Sequence, residues 1–182
     1  MRKILLLILM IGLSYAQNNY PGSTFLLPPN VVSTGELTVG DIGTITDLNV
    51  TISGTHPDIG NLDFKLISSY GTIVDLVTGN WSGQSLYLTT FDDEASDLIS
   101  SGTQPYFGSF QPEGSLSDFD QEEMQGTWTL WSYNNGNYSG TISSWSITVE
   151  YDDSTPSEPP MELGTDYPGS TFLLPPNVVS TG

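Results

Sequence analysis

The sequence predicts an all-β fold, a jelly-roll β-sandwich of short antiparallel strands, and three observations carry that expectation. Apolar and polar residues alternate with a period of two over several stretches, as half-buried strands require. Clusters of Gly, Ser, Thr, Asn and Asp separate these stretches at Ser53-Gly54, Gly71, Thr78-Gly79-Asn80 and Asn134-Asn135-Gly136-Asn137. No stretch sustains a 3.6-residue apolar period, and the one helical turn expected covers Asp93–Ile99.

Taken in chain order, the first element is not part of the fold. Met1-Arg2-Lys3, an apolar run from Ile4 to Leu13 and the small residues of Ser14-Tyr15-Ala16 describe a secretory signal peptide, residues 1–16, cleaved after Ala16. The apolar run is too short to span a bilayer, which takes about 20 residues. A folded module is expected over residues 19–151. Its opening stretch, Ser23 to Pro29, reads as an edge strand, a short apolar run ended by prolines that cannot donate to a ladder. Leu48, Val50 and Ile52 then alternate with polar neighbours, as do Leu62, Phe64 and Leu66. Further strands are expected at Thr72–Val77, Leu86–Phe91 and Thr127–Tyr133, and Trp145, Ile147, Val149 and Tyr151 mark the last. Residues 152–165, rich in Pro and acids, read as a stiff linker. Residues 166–182 then carry a copy of the opening: Tyr167–Gly182 repeats Tyr20–Gly35 letter for letter.

Charge narrows the partners. The chain holds three basic residues against twenty-one acids, and Arg2 and Lys3 leave with the signal, so Lys65 alone remains. Such a surface repels phosphate backbones and anionic lipid, which argues against nucleic acid and membrane partners. It also repels itself unless cations screen or bind it, and carboxylate oxygens suit calcium. There is no cysteine, so an exported fold here must stand on its apolar core.

Specific residues carry a resemblance. His56, Gly60-Asn61-Leu62, the turn from Leu66 to Thr72, Phe91-Asp92-Asp93, Gly126-Thr127-Trp128-Thr129-Leu130 and Gly140 to Trp145 follow one another at characteristic spacing over roughly 100 residues. In that order they resemble the P/Homo B domain, the domain that follows the catalytic domain in proprotein convertases and many bacterial subtilisin-like proteases. Asn61, Ser69 and Tyr133 depart from its usual Asp, Pro and acid. The resemblance implies a galactose-binding-domain-like jelly roll and a non-catalytic role in stabilising, targeting or linking a larger secreted protein. Its implied partners are the other domains of that protein, or neighbouring copies of itself.

The chemistry in the residues agrees with a non-enzyme. His56 is the single histidine, no Gly-x-Ser-x-Gly elbow or phosphate-binding loop occurs, and the chain is too short for a subtilisin catalytic domain. Asp92 and Asp93 are adjacent and would face opposite ways on a strand, unlike a glycosidase pair. A calcium site is the expected cofactor site, drawing on Asp58, Asp92, Asp93, Glu94, Asp97 and Asp120, with Asp118 beside the last. The competing reading of these acids is that they cap turns or are solvated. Trp131 and Tyr133 are candidate ligand-binding residues, and with Trp81, Tyr87 and Tyr138 they would form an aromatic platform for sugars. Asn49, Asn80 and Asn137 begin Asn-x-Ser/Thr triplets, glycan acceptors in a eukaryotic host. The repeated opening has two readings: the start of a second module in a tandem array, or a strand exchanged between molecules to give polymers.

Overall fold

The structure, a computed structural model, describes residues 15–153 other than Asn80. Most of the signal segment, the linker beyond Asp153, the second copy of the opening and the Asn80 triplet's acceptor lie outside the described residues.

Ten strands form two sheets that pack face to face: β1 (Tyr15–Pro21), β2 (Phe25–Leu27), β3 (Val32–Val39), β4 (Thr44–Thr55), β5 (Leu62–Ile67), β6 (Ile73–Thr78), β7 (Ser85–Phe91), β8 (Gly108–Phe110), β9 (Gly126–Asn134) and β10 (Gly140–Asp152). The first sheet runs β1-β10-β4-β7-β8, with β2 also paired to β10; the second runs β3-β9-β5-β6. All pairs are antiparallel except β7 with β8. This is the β-sandwich that the alternating pattern predicts.

The pattern explains which faces meet. In β5, Leu62, Phe64 and Leu66 are buried while Asp63 and Lys65 face outward. In β9, Trp128 and Leu130 point inward, and Trp128 is fully buried with its Nε1 donating to Met124 O at 2.9 Å. The two longest strands break phase and keep their apolar residues inside. β4 buries Ile45 and Leu48, three apart, because the β4–β10 register shifts between Asp47 and Ile45. β10 likewise buries Ile142 and Trp145 across a shift between Ile142 and Ser144. Each shift inserts a residue, so the side-chain alternation restarts on the correct face.

Two expectations are corrected. The turn expected over Asp93–Ile99 is not helical: Asp92–Ala95 forms a tight hydrogen-bonded turn, Leu98 bridges Gln111, and a 3-10 turn begins only at Ile99. The Asp92 side chain accepts from Glu94 N within this turn, which competes with helix. Trp81, expected on an exposed platform, is a core residue. It meets Phe64 and Tyr106 edge to face at 5.8 and 5.7 Å and donates from Nε1 to Leu62 O.

Candidate functional site

The acidic residues gather at the end of the sandwich where β4 begins and β7 and β10 end. β7 delivers Asp92, Asp93 and Glu94 directly after Phe91, which pairs with Val50. β4 brings Asp47, opposite Glu150 of β10. A 3-10 turn at Leu116–Phe119 sets Asp120 beside them. Asp58 lies past the far end of the twelve-residue β4, and Asp97 is carried past the Asp92 turn with its backbone carbonyl bound to Gln111 N. Four of the six expected ligands therefore share a region, and two do not.

Within that region the carboxylates have different employment. Asp93 accepts from Leu116 N at 3.0 Å, Ser117 N at 2.9 Å and the Ser115 hydroxyl at 3.0 Å, so it fastens the 115–119 loop to the end of β7. Asp58 does the same work at the other end, accepting from Gly60 N and Asn61 Nδ2, each at 3.1 Å. Asp92 accepts from Glu94 N at 2.8 Å, closing its turn, and its carboxyl also meets that of Glu94. Partial loss of water, the Asp92 carboxyl and Asp47 together push the Glu94 pKa up. Burial raises Asp47 first, with Glu150, Asp92 and Asp120 adding repulsion. Asp120 is raised by burial and then by Asp93. The cluster is a place where negative charge is held against its own repulsion.

Carboxylate oxygens are the donors that a hard cation takes, but the full set of six does not come together as one site. Asp93 and Asp58 are spent on N–H donors, and among the described residues no group of three or more His, Cys, Asp or Glu side chains converges on one point. Sequence reasoning missed Asp47 and Glu150, because each occupies an ordinary polar position in a strand and only the β4–β10 register sets them together.

Trp131 and Tyr133 lie side by side on the outer face of β9, half-buried, with ring centroids 6.5 Å apart and planes 29° apart. Lys65 reaches across from β5, its Nζ 5.6 Å from the Trp131 ring and 2.6 Å from Asp75 Oδ1. Tyr138 is exposed on a separate loop. His56 is buried, with Nε2 2.9 Å from Tyr138 O, and Nδ1 2.6 Å from Asp58 O and 3.1 Å from Asp58 N. Both ring nitrogens are thus committed to the backbone, where the ring ties two loops together beside an open polar groove lined by Gln84, Ser85, Ser139 and Thr141.

Tyr87, expected among the exposed aromatics, belongs to a second pair whose other member, Phe107, sequence reasoning missed. Tyr87 of β7 and Phe107 stack at 6.0 Å and 27°, and both are more than half exposed. Leu88, also exposed, takes a positive φ of 48° that turns the chain outward, its N–H held by Ser53 Oγ at 2.9 Å. With Leu86, Pro105 and Gly54, Tyr87 and Leu88 border a shallow groove whose rim also carries Ser85 and Ser143.

The proprotein convertase P-domain model matches residues 45–149, more than half of the chain and most of both sheets. No curated protein matches the sequence. Among solved structures, the Aeromonas sobria serine protease in complex with its chaperone (ORF2) aligns at 14% identity and a TM-score of 0.50, covering 76% of this chain and 28% of that one. The same species' serine protease alone aligns at 17% and 0.47, covering 75% and 27%. FLHE aligns at 15% and 0.47, covering 76% of this chain and 97% of its own. The chain thus spans less than a third of the protease chains it matches.

Proposed function

The chain belongs to the proprotein convertase P-domain family, and from that membership we propose that it is the non-catalytic accessory module of a secreted, subtilisin-like serine protease system. The observation that carries the reading is that the family match covers the sandwich itself, the part of the chain with a continuous buried core. An accessory role requires a surface for a partner. The Tyr87–Leu88–Phe107 face is such a surface: large apolar groups held outward on a rigid sheet, next to a groove, as at the centres of protein interfaces. Export fits the N-terminal segment. Cleavage after Ala16 would leave Gln17–Pro21 of β1 still paired with β10. Calcium enters in reduced form, at the Asp92–Glu94 pair, where a divalent cation would relieve the repulsion that adds to burial in raising the Glu94 and Asp47 pKa values.

The test is functional stabilisation in trans. The purified chain is mixed with the subtilisin-like catalytic domain encoded by the same genome, and the half-life of peptidase activity is followed at elevated temperature. The half-life is expected to lengthen, and Tyr87→Ser with Phe107→Ser to cancel the gain without altering the module's own melting. An unchanged half-life would overturn the reading, as would peptide hydrolysis by the chain alone.

A further inference from the structure

Residues 20–35 occupy a definable slot, and the sequence that fills it is present twice in the chain. The segment leaves β1, runs through β2 and enters β3, so it crosses from the edge of the first sheet to the edge of the second. Tyr20 pairs with Ile147, Phe25–Leu27 with Ile142–Gly140, and Val32–Gly35 with Tyr133–Leu130. Gly22 N donates to Trp145 O and Trp145 Nε1 to Ser23 O, both at 2.9 Å. Asn134 accepts from Asn30 N at 2.7 Å and donates from Nδ2 to Leu27 O at 2.9 Å. The fit is close enough that a Cβ on Gly22 would sit 2.0 Å from the Trp145 indole. The strands that pair with the segment are β9 and β10. All of the groups placed in the slot recur at Tyr167–Gly182, with Gly169, Ser170, Phe172, Leu174 and Asn177 in the places of Gly22, Ser23, Phe25, Leu27 and Asn30.

We propose that residues 167–182 bind this slot within the same chain, in competition with residues 20–35. The slot runs antiparallel to β10, and β10 is the strand from which the linker departs at Asp152. A chain leaving there must only turn back, as neighbouring antiparallel strands permit. Tyr167 has to reach the level of Ile147, about 17 Å back along β10 at roughly 3.3 Å per residue. Residues 154–166 between them span up to about 45 Å when extended. A tether that reaches gives the tail an effective concentration in the millimolar range, far above that of a neighbouring molecule's tail. The competition is not even. Tyr15–Asn19 extend the first copy, with Gln17 bonded to Glu150 and Asn19 to Ser146 and Thr148, whereas Glu162–Asp166 precede the second and bring two acids toward Glu150. The first copy therefore holds the slot, and the tail takes it when the first copy is disabled.

The 182-residue chain tests this through paired glycine variants, followed by thermal melting and light scattering after size exclusion. Gly22→Val blocks the first copy and Gly169→Val the second. Gly169→Val alone is expected to leave melting unchanged. Gly22→Val is expected to remain monomeric with a modest fall, and the double variant to lose ~10 °C or more beyond it. If Gly22→Val and the double variant melt together, the tail does not enter the slot and the proposal falls. Independently of melting, the cysteine-free chain allows trapping once the first copy is disabled: Leu26 lies opposite Thr141, so in the Gly22→Val background Leu173→Cys with Thr141→Cys is expected to form a disulfide within one chain. No cross-link, or cross-links only between chains, would overturn intramolecular exchange.

Discussion

At the scale of single residues, the acids at one end of the sandwich divide by what their oxygens already touch. Asp93 takes three donors from residues 115–117 and serves as a structural fastener. Asp93→Ala would leave two backbone N–H groups without their acceptor, at a cost of about 1–3 kcal/mol. That loss is expected to be equal with calcium and with a chelator. Glu94 stands in the opposite position, its pKa raised first by burial and then by the Asp92 carboxyl that it meets. Glu94→Gln removes one negative charge from the pair. It is expected to raise the melting temperature in chelator and to abolish any rise on adding calcium. Melting of both variants in the two conditions checks the assignment; a calcium response lost in Asp93→Ala and kept in Glu94→Gln would reverse it.

At the scale of elements, β10 organises the first sheet, since β1, β2 and β4 all pair with it. Ile147 sits at its middle, fully buried, with Val50 opposite on β4 and Tyr20 opposite on β1. Ile147→Ala removes packing where two strand pairs meet, and a loss of about 2–5 kcal/mol is expected in urea unfolding. Six strands are legible in the sequence because their alternation is local: Leu48–Ile52, Leu62–Leu66 and Trp145–Tyr151 state their buried faces outright. The extra length of β4 and β10 is not, since the residue inserted at each register shift breaks the period that reveals a strand. β8 escapes for another reason. Its three residues, Gly108–Phe110, have no face of their own to bury and are strands only because β7 lies parallel beside them. The acidic site is half legible: Asp92, Asp93 and Glu94 are close in sequence, but Asp47 and Asp120 join them only through the sheet register and the 115–119 loop. Trp81 shows the converse, a residue in a polar turn segment whose indole folds back under Phe64.

At the scale of the whole molecule, carboxyls whose pKa values are raised are expected to make stability grow as pH falls from neutrality. Asp47, Asp63, Glu94 and Asp120 all hold their protons more tightly than usual, in each case first because burial disfavours the charge. Lys65 offsets this at Asp63, whereas at Asp47 the neighbouring charges of Glu150, Asp92 and Asp120 add to it. A carboxyl whose folded pKa is raised binds its proton better in the native state than in the unfolded one. Its contribution to stability is complete below the unfolded value, about 4, and is lost as pH rises through the folded value. The melting temperature is therefore expected to climb as pH falls from neutrality toward that range. Circular-dichroism melts at constant ionic strength, in chelator, measure it. Calcium and protons relieve the same repulsion, so the calcium-induced rise should be largest at neutral pH and shrink as the solution is acidified. A melting temperature that falls steadily from pH 7 downward would show that these crowded carboxyls do not govern the acid response.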